Sequence, residues 1–351
     1  MKKTIIYLCM AGLSSAALAQ SAPPPHAPFA LDFPSLISGK ASHSAMLTIT
    51  RAGERLIAAG ERGIVLYSTD NGKQWTQAVT PTSVTLTALR FVDAKRGWAV
   101  GHMGLVLHTE DGGVTWHKQL DGIQAAQLAY ETAMAGGDEK AVRQATYLVT
   151  DGPDKPFFDL HIDQSGHGFI VGAYNLIFRT TDGGKTWQDW SAHVDNPKAL
   201  HLYGLAKRGA DLYLVGEQGL ILRSTDGGQH FSAQSSPYVG TWFGALTTAK
   251  GLLLYGLRGN AYLLPASGEG WQQLQTNTTS AISGATQLTD GRLVLASQSG
   301  QLLVEQAPMK FVPLPMRSAG PLTAVIEGSD RGVIVTSLRG VVTAPIATAN
   351  N

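Results

Sequence analysis

At 351 residues the chain has the length of two ordinary domains or one large β domain, and 40 glycines with 44% hydrophobic content favour many short strands joined by tight turns. A formal charge of +1 excludes bulk attraction to nucleic acid or to an anionic membrane surface. A single cysteine excludes a disulfide framework.

At the N-terminus, Lys2 and Lys3 precede an apolar stretch, 5–18, which ends at Ala17, Leu18 and Ala19 with small residues where a signal peptidase reads. Residues 1–19 are therefore expected to be a signal peptide cleaved before Gln20, which makes the mature chain periplasmic or secreted. The apolar run is about 16 residues, short of the roughly 20 that span a bilayer, so no stable membrane insertion is expected after cleavage. Cys9 leaves with the leader, and stability must then come from burial. Removing Lys2 and Lys3 from the 27 basic residues leaves 25 against 26 acidic ones.

After an N-terminal segment, 20–43, the first repeat begins. Residues 56–66 read as a strand, a G-x-x-G hairpin and a second strand, and six more segments match, with hairpins at 101–104, 172–175, 216–219, 256–259, 297–300 and 337–340. Glycine, or Asn175 in one copy, closes each hairpin because a tight turn needs a residue tolerant of positive φ. The closing residues recur about every 40 positions, the length of a four-stranded propeller blade. The predicted fold is all-β: a single seven-bladed β-propeller over 44–346 with a tail at 347–351. Each unit opens with an innermost strand, such as 86–92, 158–162, 202–206, 243–247 and 322–326. The last unit lacks an outermost strand, and residues 29–36 are expected to supply it, closing the ring by pairing the chain ends.

One interval is longer by about 30 residues. It holds a helical insertion, about 117–157, between blades two and three; residues 124–149 read as two short helices, with Asp138 as N-cap of the second. Asp151, Asp154 and Asp159 lie nearby, but their spacing matches no calcium loop and reads as turn chemistry. No metal or cofactor is expected.

An eight-residue box, S/T-x-D-G/N-G-x-x-W/F, follows the hairpin strands at 68–75, 109–116, 180–187 and 224–231. It resembles the Asp-box (BNR) repeat, found in sialidases, in some xyloglucan-active glycosidases and in the photosystem II stability/assembly factor family; the whole mature chain most resembles the last group. Blades five to seven depart from the motif. In each box Asp70, Asp111, Asp182 or Asp226 is placed to accept backbone N–H groups, while Trp75, Trp116, Trp187 or Phe231 packs on the neighbouring sheet. Four equivalent carboxylates on separate blades cannot converge on one substrate, so the boxes are structural and no catalytic residue is assigned.

The boxes join third and fourth strands, on the opposite face from the hairpins. The hairpin face collects Arg62, Arg258 and Arg339 at one equivalent position, together with Glu61, Glu217, His102 and Tyr174, and Trp242 opens blade five beside it. The arginines form a cationic patch for an acidic partner segment or carboxylate; Tyr174 and Trp242 suit a peptide or sugar ring. Trp190, His193, His201, Tyr238 and Phe243 read as inter-blade packing. In the assembly-factor family an arginine-rich surface engages a membrane protein partner, which the resemblance implies here in kind.

A glycosidase needs two carboxylates converging at the channel mouth, and Glu61 and Glu217 stand on blades one and four. No sialidase F/Y-R-I-P segment, nucleophile elbow or H-E-x-x-H occurs. The expected function is that of a non-enzymatic, monomeric periplasmic propeller that binds a membrane or envelope protein and assists assembly of a membrane complex or transport system. The alternative is a carbohydrate-active protein, either a glycoside hydrolase or sialidase-like enzyme or a lectin, using the same face.

Overall fold

The computed structural model describes residues 30–314, 316, 320–329 and 332–346. The leader, Phe29 and the tail 347–351 lie outside the described residues. Seven antiparallel sheets follow one another along the chain, spanning 46–77, 86–120, 157–189, 202–233, 242–273, 282–314 and 322–345. Six have four strands in sequential order and the last has three. Innermost strands contact those of both neighbours, and the inner strand of the seventh sheet contacts that of the first. The molecule is a seven-bladed propeller.

Strand composition explains the layering. Second strands such as Arg55–Gly60, Gly97–Gly101 and Gly168–Gly172 are almost wholly buried, since each is covered by blades on both sides. Their apolar residues feed clusters that lie between blades: Ile57 and Ala59 with Leu89 and Leu107, or Trp98 and Val100 with Leu160 and Phe178. Outermost strands are stubs in several blades, such as Thr76–Gln77 and Ser232–Ala233.

The seventh blade corrects the expected closure. Residues 30–38 run along blade one instead: Ala30 O accepts from Ser83 N at 2.9 Å, Leu36 O accepts from Gln77 Nε2 at 3.0 Å, and Leu31 is buried with Val84 and Leu105. The ring closes by packing of whole sheet faces. Ile334 of blade seven is buried among Met46, Leu56, Ala58 and Leu66 of blade one. Arg51 Nη2 donates to Glu327 O at 3.0 Å, and Thr323 Oγ1 donates to Met46 O at 2.7 Å.

The insertion folds as expected into two helices, α1 (Gly122–Gly136) and α2 (Glu139–Asp151). Asp121 caps α1 with a full capping box: its side chain accepts from Ile123 N and Gln124 N, and Gln124 Oε1 accepts from Asp121 N. Asp138 caps α2 by accepting from Lys140 N at 2.9 Å. Ala125, Ala129 and Ala145 tuck the pair against Phe157 and Leu176 of blade three.

Candidate functional site

The boxes are fastenings. In blade two, Asp111 accepts from Val114 N, Thr115 N and the Thr109 and Thr115 hydroxyls, while Thr109 Oγ1 accepts from Gly113 N at 3.0 Å. Asp70, Asp182 and Asp226 repeat the scheme with Gln74, Thr186 and His230 N–H groups. Partial burial pushes Asp111 up, but the hydrogen bonds from Thr115, Thr109 and Val114 outweigh it and hold the carboxyl below its ordinary value. The Ser224 hydroxyl and the His230 N–H bring Asp226 down to about 2. Trp116, Trp187 and Phe231 are buried, and Trp75 is half-buried against the blade-seven seam.

Three of the four boxes also accept hydrogen bonds from the preceding blade. Arg55 of blade one donates to Asp111 O and Gly112 O, Trp98 of blade two donates to Gly183 O, and Trp190 of blade three donates to Gly228 O. His193 stacks on Trp190 with centroids 3.9 Å apart. This pair is inter-blade packing, as its sequence position suggested.

On the opposite face the hairpins are tighter than the closing glycine alone implies. In blade one both Arg62 (φ 54°) and Gly63 (φ 67°) are left-handed, and Ile64 N closes the turn on Glu61 O at 3.0 Å. Met103, Tyr174, Gln218 and Arg258 take the same left-handed position in blades two to five. A non-glycine residue held there pays roughly 1–3 kcal/mol of strain, and the side chain is thrown outward from a fixed backbone. Arg62, His102 and Arg258 are exposed, and Tyr174 is 57% exposed. Arg339 is exposed too, on a hairpin where Gly340 alone has positive φ. The three arginines share a face, two of them on the neighbouring blades seven and one.

Three expected site residues do other work. Trp242 is fully buried, with its indole against Tyr238 and Tyr262 and Nε1 donating to Ser236 Oγ at 3.2 Å, so it offers nothing to a partner. Glu61 Oε1 accepts from Ala45 N at 3.0 Å and Glu217 Oε2 from His201 N at 2.9 Å. Each glutamate thus ties its hairpin to the start of its own inner strand.

The sequence reading missed a ring of β-bulges. Every inner strand shifts register at its second residue, which is Leu47, Thr87, Phe158, Tyr203, Phe243, Ser283 or Thr323. A bulge leaves that residue unpaired and re-aims its side chain. Thr87, Ser283 and Thr323 use it to donate to the first inner-strand carbonyl of the next blade, at 2.7, 2.6 and 2.7 Å. Blades three to five carry rings instead. Phe158 and Tyr203 lie 4.8 Å apart, Tyr203 and Phe243 meet edge-on at 5.8 Å, and His201 bridges Phe158 (6.2 Å) to the exposed Tyr174 (4.5 Å). The signal was available as three successive aromatic residues in one column of the repeat. Burial, and then the Glu217 carboxylate and Tyr174, push the Tyr203 hydroxyl up.

Among the described residues no group of three or more His, Cys, Asp or Glu is arranged to hold a metal ion, and no helix is long and apolar enough to cross a membrane.

A ring of about 40-residue units, fastened on one face by Asp-boxes and presenting strained hairpins on the other, defines an Asp-box β-propeller. The chain belongs to the family of the photosynthesis system II assembly factor YCF48, whose model matches residues 73–145 and 139–312. No curated protein matches it. Among solved structures it is similar to YCF48 bound to a D1 peptide, with 16% identity, a TM-score of 0.64, and coverage of 90% of this chain and 99% of that one. YCF48 from Cyanidioschyzon merolae aligns at 14% identity and a TM-score of 0.63, over 86% of this chain and 95% of its own. The WD40 propeller domain of Doa1 aligns at 9% identity and 0.62, over 89% and 95%.

Proposed function

We propose that this chain is a non-enzymatic periplasmic propeller that binds a segment of a membrane or envelope protein on its hairpin face and assists the assembly or stability of a membrane complex or transport system. The observation that carries the reading is the set of exposed side chains, Arg62, Tyr174 and Arg258 among them, held outward on left-handed hairpin backbones. Such loops present fixed contacts to a partner at little further entropic cost. Membership of the YCF48 family, and a solved relative that carries a D1 peptide, support a protein as the ligand class. Against carbohydrate chemistry stands the engagement of Glu61 and Glu217 with backbone N–H groups of their own blades.

The test is recovery of partners from periplasmic extract by the wild-type chain and by a triple variant with Arg62, Arg258 and Arg339 changed to Glu. Loss of at least about tenfold in a specific partner is expected, since reversing charges at a central patch removes attraction and adds repulsion. Unchanged recovery would remove the arginine surface from the mechanism.

A further inference from the structure

The aromatic part of the bulge ring is a different kind of surface from the arginine hairpins, and it lies on blades three to five of the same face, meeting the arginine set at blade five. Tyr174, Phe158, His201, Tyr203 and Phe243 form a continuous run of ring contacts across blades three to five, with centroid separations from 4.5 to 6.2 Å. Their counterparts Thr87, Ser283 and Thr323 spend their polar groups on the next blade; Tyr174 is exposed, and Phe158, Tyr203 and Phe243 are partly buried with no hydroxyl committed in that way. Rings left partly in water along a rigid mouth are available to a ligand.

Charge decides which ligand. The Glu217 carboxylate is 32% exposed beside His201, with one oxygen taken by His201 N and Nδ1. Asp151 and Asp154 stand at the rim, bound to Lys155, and Lys198 reaches Gln218 on the blade-four hairpin. Lys155 is held by Asp151 and Asp154, and Glu217 is the carboxylate that stands against the rings. The π faces add negative potential to that of the Glu217 carboxylate. The fold already uses the surface in this way: Lys155 Nζ lies 5.8 Å from the centroid of the Tyr174 ring.

We propose that this arc is a subsite for a cationic side chain, a guanidinium or ammonium group projecting from the bound partner segment, with Tyr174 and Tyr203 supplying ring faces and Glu217 the counter-charge. The inference rests on the hairpin face being the docking surface. A partner segment would then meet cations on blades five, seven and one and an acidic aromatic cage on blades three and four, which fixes its direction across the ring.

The test uses the full mature chain with 13C-labelled tyrosine and phenylalanine, titrated with the tripeptide amides acetyl-Ala-Arg-Ala and acetyl-Ala-citrulline-Ala. The arginine peptide is expected to shift Tyr174 and Tyr203 resonances saturably, with the neutral isostere weaker by about fivefold. Glu217→Gln should erase that preference, and Tyr174→Ala at the exposed ring, which leaves the other rings in place, should weaken the arginine peptide while Tyr174→Phe retains it. Equal responses to both peptides, or none at about millimolar concentration, would overturn the subsite. If the tripeptide binds but charge reversal of the arginines leaves partner recovery unchanged, the arginine surface falls and the cage stands; the opposite pair of results sinks the cage alone.

Discussion

A box aspartate is an acceptor before it is an acid. Asp70, Asp111, Asp182 and Asp226 are all held below the ordinary carboxyl range, led by the Gln74 N–H for Asp70 and the Ser224 hydroxyl for Asp226; in Asp111 and Asp182 the turn's hydrogen bonds overcome partial burial. Because the folded values lie below the unfolded ones, the unfolded chain binds more protons as pH falls, so the stability these groups supply is present above about pH 4 and drains away toward pH 2. Denaturant midpoints should therefore fall between about pH 4.5 and 2.5, and Asp111→Asn should flatten the slope while lowering the midpoint at neutral pH. A slope unchanged by the substitution would show that the boxes do not govern acid stability. This residue-level role was legible because turn chemistry is local in sequence. The roles of Glu61, Glu217 and Trp242 were not, since each depends on a backbone N–H or a ring that the fold brings from another strand.

Elements were legible in proportion to how locally they are encoded. The two insertion helices and the Asp138 cap follow from composition and capping residues, and the hairpins follow from their glycines. Asp121 as the cap of α1 went unread, although it stands three residues before Gln124, the spacing of a capping box. Asp121→Ala removes that box and the 2.8 Å ion pair with Lys118, and should cost about 1–2 kcal/mol. Hydrogen exchange should place the loss in α1 and the adjoining Phe157 strand, with blades five to seven unaffected; uniform loss around the ring would contradict local capping. The bulges are illegible in any single strand. Only alignment of seven inner strands shows that one column exchanges hydroxyls for aromatic rings on three consecutive blades.

At the scale of the whole molecule the period gave the number of blades, while the joint between the last and the first depended on contacts between residues nearly 300 apart in sequence. Residues 29–36 precede the first blade and suggest a strand exchange; Phe33 at 52% and Leu36 at 83% are instead exposed along blade one. The seam depends instead on Ile334, fully buried, with its Cδ1 near the box glycine Gly72 of blade one. Ile334→Ala should cost roughly 2–4 kcal/mol through the cavity it leaves. Exchange protection should fall first in 46–60 and 322–337; a variant that loosens elsewhere first would show that the seam is not the weakest joint.

Among the described residues the seam is built from contacting sheets of blades seven and one, the kind of contact found at the six other junctions. The polypeptide therefore has no privileged starting point: a permuted chain that begins at the connector before Trp242 and joins the present ends through a linker should form the same ring. Gain or loss of a blade would likewise leave no orphaned strand behind, so the repeat number of such proteins is free to change by duplication without redesign of the closure.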